Sequence, residues 1–144
     1  ALVDGADELD VLANIVAIKN NDWQFISNEI NHVMPVVKSK GKAIKIIIES
    51  GVLSREELLK SCELFGAAGI DYLKTSTGYA EVGATVEAVK TMRQNLPSQV
   101  QIKASGGIKT YEFAKELVAA GATRLGCSVS VAIVNQQIQN ESQY

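Results

Sequence analysis

The chain has 144 residues, enough for one compact domain, and its 47% hydrophobic and 21% charged residues are those of an ordinary folded protein. A formal charge of −2 argues against a nucleic-acid partner or an anionic membrane surface, while leaving room for a local basic pocket that takes one phosphate. No apolar run approaches the roughly 20 residues of a membrane span. Cys62 and Cys127 form no C-x-x-C pair and read as reduced and structural. The single histidine, His32, sits in an amphipathic helical stretch, which gives a histidine-based metal site little to draw on.

Ala1 opens almost directly into a strand-like segment, so an upstream segment is expected. The first strand reads Leu9–Leu12. Asp22 then caps a helix with Ile26, Ile30, Val33 and Val37 on one face and Gly41 at its end; Pro35 inside it predicts a kink or a shortened helix. Ile44–Ile48 is a second strand. Ser54 and Glu57 make a capping box before Leu58, Cys62 and Phe65, and Gly69 stands where a terminating glycine belongs. Tyr72–Lys74 is a third strand, followed by a helix that opens at Thr85, turns Val89 and Met92 inward and ends before Pro97. Val100–Lys103 is a fourth, followed by a helix from Thr110 with Phe113 and Leu117 inward and Gly121 at its end. Arg124–Gly126 is a fifth, and residues 128–138 form the last helix.

Near-continuous apolar strands alternating with helices predict a parallel sheet covered by helices. A closed TIM barrel takes eight strands, and no dinucleotide or P-loop glycine motif follows the first strand to favour an open doubly wound sheet. The expected class is therefore α/β, a partial TIM (β/α)8 barrel of five units. One domain is expected over residues 1–138, with a polar C-terminal tail over 139–144.

Asp10, Lys45, Glu49, Lys74 and Lys103 are charged residues in strands that should be buried, so each needs a partner or a function. The lysines at 45, 74 and 103 recur every 29 residues, about one β/α unit. Strand alternation puts Lys45, Ile47 and Glu49 on one face, and Tyr72, Lys74 and Ser76 likewise. An amine is nucleophilic only when unprotonated, and desolvation with a second ammonium nearby favours that form. Lys74 beside Lys103 fits that need, and Asp10 fits a proton shuttle. The same residues also fit a structural ion-pair network, for which Lys45–Glu49 is the clearest pair.

Gly106-Gly107 follow the Lys103 strand, and Gly126-Cys127-Ser128 follow the last strand, each leading into a helix. Such turns expose backbone N–H groups to an anion, and the loops after strands seven and eight of TIM barrels commonly hold phosphate. Two ordinary β/α turns are the alternative.

Four strings carry a family resemblance: Gly5-Ala6-Asp7-Glu8-Leu9-Asp10-Val11 with Asn14-Ile15, Lys45-Ile46-Ile47-Ile48-Glu49, Leu73-Lys74-Thr75-Ser76-Thr77-Gly78, and Lys103-Ala104-Ser105-Gly106-Gly107-Ile108-Lys109-Thr110. In this order they resemble the deoxyribose-phosphate aldolases. That resemblance implies a cofactor-independent, cytoplasmic class I aldolase without a metal, cleaving 2-deoxyribose 5-phosphate to glyceraldehyde 3-phosphate and acetaldehyde. It implies Lys74 as the Schiff-base lysine, Lys103 as the neighbour that activates it, and Asp10 as the proton relay. Gly106, Gly107, Gly126 and Ser128 would contribute to the phosphate site, with Thr77 and Gly78 shaping the pocket wall; Lys45 and Glu49 stand as supporting polar residues. Val129 stands where some members carry a second serine. The expected partners are a small phosphorylated sugar and either copies of the chain or an N-terminal barrel segment. Two alternatives remain: an inactive barrel fragment that self-associates or serves as an interaction module, and Schiff-base chemistry on another sugar phosphate or a keto acid.

Overall fold

In a computed structural model the backbone is described for residues 1–141 and the side chains for residues 1–135. Strands β1 (Glu8–Leu12), β2 (Ala43–Ile47), β3 (Tyr72–Lys74), β4 (Gln101–Ser105) and β5 (Arg124–Gly126) form one parallel sheet in chain order. Between them run helices α1 (Ile15–Lys19), α2 (Trp23–Ser39), α3 (Arg55–Ala67), α4 (Val86–Asn95) and α5 (Tyr111–Ala119), with α6 (Ser130–Glu141) last. Parallel crossovers are right-handed as a rule, so a strand order that never reverses keeps the connecting helices on the same side of the sheet. That is the arrangement of consecutive units of a β/α barrel, not of a doubly wound sheet.

The two faces of the sheet differ as the sequence dictates. Ile44, Ile46, Ile48, Leu73, Ile102 and Ala104 are buried towards the helices, where they meet Ile18, Ile26, Val37, Phe65, Met92 and Leu117 in one core cluster. The alternate residues Glu8, Asp10, Lys45, Lys74, Lys103 and Arg124 occupy the other face. Burying one Leu or Ile side chain contributes about 1.5–3 kcal/mol, so the helical face supplies most of the stability and the polar face is free for chemistry.

Local signals set the helix ends. The side chains of Asn14, Asp22, Ser54, Thr85 and Thr110 each accept an N–H bond from the first turn of α1, α2, α3, α4 and α5. The Ser54–Glu57 capping box is complete. Gly41, Gly69 and Gly121 follow helix ends with positive φ, a conformation that glycine adopts without a Cβ penalty.

Two expectations change, and two short elements are added. Pro35 neither ends nor shortens α2, which runs unbroken from Trp23 to Ser39. Pro35 and Asn31, whose carbonyl loses its helical N–H, are both exposed, and water can satisfy that carbonyl. The last helix starts at Ser130 and continues to Glu141, later at both ends than 128–138; residues 142–144 of the expected tail lie outside the described residues. The short helix α1 and a 3-10 turn over Ser50–Val52 complete the loops after β1 and β2. Among the described residues no helix is long and apolar enough to cross a membrane.

Candidate active site

The parallel register sets Asp10 opposite Lys45 on β1 and β2, and Lys74 opposite Lys103 on β3 and β4. All four share the face turned away from the helices, and their side chains converge. Asp10 Oδ2 accepts from Lys74 Nζ at 2.6 Å and from Lys103 Nζ at 3.2 Å. Its other oxygen, Oδ1, takes Lys45 Nζ at 3.0 Å. One carboxylate thus ties together three strands' lysines, two of them on a single oxygen.

The network continues outward. Lys45 Nζ also donates to Glu8 Oε2 at 2.7 Å, and Glu8 Oε2 accepts from Arg124 at 2.6 Å. The Arg124 guanidinium lies 4.6 Å from the centre of the Tyr72 ring, a cation–π distance. Glu8 on β1 and Arg124 on β5 belong to the two outer strands, so the sheet curls enough for its edges to meet on this face. Four cations, Lys45, Lys74, Lys103 and Arg124, stand against two carboxylates, Glu8 and Asp10. The site is locally positive in a chain of net charge −2.

Only 4% of the Lys45 side chain and 11% of Lys74 are exposed, so the carboxylates replace the water that burial removes from these amines. Burial works against ionisation of Asp10, but bonds from Lys74, Lys45 and Lys103 outweigh it and hold its carboxyl well below the usual carboxylate range. Arg124, then Lys45, lower Glu8 to about 2. Burial likewise opposes the charge on Lys45, yet Glu8 and Asp10 raise it above an ordinary lysine. Lys103 goes the other way. Burial lowers it, the Lys74 and Lys45 charges add to that, and its bond to Asp10 opposes without prevailing.

The expected Lys45–Glu49 pair does not form. Lys45 is taken by Glu8 and Asp10, whereas Glu49 accepts the Thr77 backbone N–H at 3.2 Å and the Thr77 hydroxyl at 2.5 Å. Glu49 lies beyond the end of β2 with φ 49° and ψ 55°, so the strand alternation that would stack it on Lys45 no longer applies. A left-handed conformation at a residue with a Cβ costs about 1–2 kcal/mol. Glu8 and Arg124 join the site without being among the residues expected there; Glu8 is signalled by its position two residues before Asp10, on the same strand face.

The loops after β3, β4 and β5 leave the same end of the sheet. Thr77 and Gly78 form a turn in which the Tyr79 N–H donates to Thr77 Oγ1 at 3.1 Å and Gly78 has φ 98°. Gly106 and Gly107 both have positive φ. Gly126 pairs with Ser105 across β4 and β5, and a Cβ there would lie 3.0 Å from Ser105 Cβ, so the missing side chain eases the approach of β5 to β4. Ser128 is exposed just before α6. Cys62 is buried and pushed up to about 12 by that burial, which leaves it an inert packing thiol.

Residues 1–133 match the family model described as DeoC/LacD family aldolase. The deoxyribose-phosphate aldolase of Thermococcus kodakarensis is 48% identical over 134 residues, covering 93% of this chain and 60% of that protein. That of Lactococcus lactis subsp. cremoris is 45% identical over 143 residues, covering 99% and 64%. Among solved structures, an aldolase designated QR15 superposes with a TM-score of 0.87 at 34% identity, covering 97% of this chain and 62% of its own. A deoxyribose-phosphate aldolase from Aeropyrum pernix, described as tetrameric, superposes at 0.81 with 29% identity, covering 93% and 56%. The chain thus spans about 60% of the length of the curated relatives it matches.

Proposed function

This chain belongs to the DeoC/LacD aldolase family, and from that membership we propose that it carries the Schiff-base centre of a cytoplasmic deoxyribose-phosphate aldolase. The observation that carries the reading is the Asp10 oxygen shared by two amines, Lys74 at 2.6 Å and Lys103 at 3.2 Å. Like charges that close disfavour having both amines protonated. Lys103, whose charged form burial disfavours, is the group able to stand neutral and take a proton from Lys74 through that oxygen.

The chemistry then follows from ordinary carbonyl reactivity. Neutral Lys74 Nζ adds to the C1 aldehyde of open-chain 2-deoxyribose 5-phosphate. Lys103, having taken the Lys74 proton, returns it through the Asp10 carboxylate to the carbinolamine hydroxyl, and water leaves to give an iminium ion. The C3 hydroxyl proton passes through Asp10 to the now neutral Lys103 as the C2–C3 bond breaks; the bond's electron pair moves to the iminium, forming an enamine and freeing glyceraldehyde 3-phosphate, and the same proton is then available for C2. Protonation at C2 and hydrolysis release acetaldehyde and restore Lys74. The local excess of cations, with Gly106, Gly107, Gly126 and Ser128 at the strand ends, suits a substrate that carries phosphate, and Thr77 with Gly78 forms the wall beside Lys74. No cofactor enters the scheme.

Two further elements belong to this reading. Residues 1–138 act as one partial β/α-barrel domain, whose described part shares one core. The chain functions as a homo-oligomer or together with an N-terminal barrel segment, which would pair the outer strands β1 and β5. To test the central claim, borohydride is added with acetaldehyde and the adduct is mapped by peptide mass spectrometry. A reduced ethyl adduct on Lys74 is the expected result, and Lys74 left unmodified in an active preparation sinks the assignment.

A further inference from the structure

We propose that Glu49 is a positioning residue for the Lys74 site, holding the loop after β3 in place through Thr77. The proposal rests on the Lys74 chemistry set out above. Glu49 is 8% exposed, and a buried carboxyl group needs partners. Its partners are the backbone N–H and the hydroxyl of Thr77, three residues beyond Lys74. The basic residue nearest in sequence, Lys45, is already engaged by Glu8 and Asp10.

The backbone at Glu49 sharpens the point. Its left-handed conformation would come at lower cost to glycine or asparagine. A glutamate there is explained by what its side chain reaches, not by the turn. A strained residue held by a specific side-chain contact beside a reactive group is the pattern that links strain to function.

The far half of the loop is held by backbone contacts instead. On one side Val82 packs on Gly51, where a Cβ would lie 2.3 Å from the Val82 carbonyl oxygen. On the other, Gly83 packs on Gly106, with a Cβ at 2.3 Å from the Gly106 oxygen, and the Ala84 N–H is shared between the Ser105 and Gly106 carbonyls. These contacts fix where the far half of the loop lies. The near half, from Thr77 to Tyr79, is fixed by Glu49, because Thr77 Oγ1 both donates to Glu49 and accepts the Tyr79 N–H. Glu49 therefore acts on the substrate wall only through Thr77.

The test compares wild type, Glu49→Gln, Thr77→Val and the double variant, in the full chain under conditions where the wild type is active. Glu49→Gln should still trap acetaldehyde on Lys74, since the small aldehyde does not need the wall. It should lose about tenfold or more in kcat/KM for deoxyribose 5-phosphate. The double variant should fall no further than Thr77→Val alone, because both changes cut one connection. Losses that multiply in the double variant, or wild-type kinetics in Glu49→Gln, overturn the proposal. If Glu49→Gln does not fold, Glu49→Asp keeps a carboxylate in a residue tolerant of this backbone, and partial retention of activity with the same non-additivity is expected; wild-type kinetics or additive losses overturn it equally. If the wild type forms no adduct on Lys74, the catalytic reading falls by itself. Amide exchange at Thr77 and Tyr79 then judges Glu49: faster exchange in the variant supports it, and unchanged exchange refutes it.

Discussion

At the scale of single residues, Asp10 carries more of the site than either lysine. Three ammonium groups converge on its two oxygens, so its charge decides whether they remain together. Asp10→Asn keeps the shape but removes the charge and the proton-accepting oxygen. It is expected to lower kcat by about 10²–10⁴-fold, the usual contribution of a positioned acid–base group, while the Lys74 adduct with acetaldehyde still forms under borohydride. An unchanged kcat in a steady-state assay contradicts the relay. The same network sets an acid limit. Glu8 falls from 4.5 to about 2 in the folded chain, so its contribution is complete above pH 4.5 and is lost as pH drops through about 2. Urea midpoints measured across that window should fall with pH, and less steeply in Glu8→Gln; parallel curves for the two proteins refute the assignment.

At the scale of elements, close backbone approach does what side chains do elsewhere. The loop after β3 lies against the loop after β4 at Gly83, where a Cβ would meet the Gly106 oxygen at 2.3 Å. Backbone cannot yield as a flexible side chain can, so Gly83→Ala should cost about 1–3 kcal/mol, the range for overpacking. It should also lower activity by displacing the Thr77 end of the loop. A chemical-denaturation midpoint equal to wild type contradicts that contact. The elements themselves were legible in the sequence: β-rich apolar runs marked all five strands, and Asp22, Ser54, Thr85 and Thr110 marked helix starts that the structure reproduces. The missed elements, α1 and the Ser50–Val52 turn, are five and three residues long, too short for a helical period to show. Glu49 was misassigned because alternation was carried past Ile47, where β2 ends.

At the scale of the whole molecule, five strands in sequential order present a helix-covered face and a charged face, with β1 and β5 as the outer strands. Unpaired outer strands favour association. Sedimentation of the 144-residue chain should therefore report a mass above 15.4 kDa, and a monodisperse monomer that unfolds cooperatively refutes self-association. The sequence by itself determined the class of fold, the starts of four helices and the presence of charges at Asp10, Lys74 and Lys103 within the sheet, because hydrophobic period, capping chemistry and a charge inside an apolar strand are local signals. Tertiary structure alone decided the partners. Lys45 meets Glu8 rather than Glu49, Arg124 reaches Glu8 from the opposite edge of the sheet, and two lysines share one oxygen of Asp10. Those outcomes depend on register, on the curl of the sheet and on one left-handed residue, each set by packing between segments far apart in the chain.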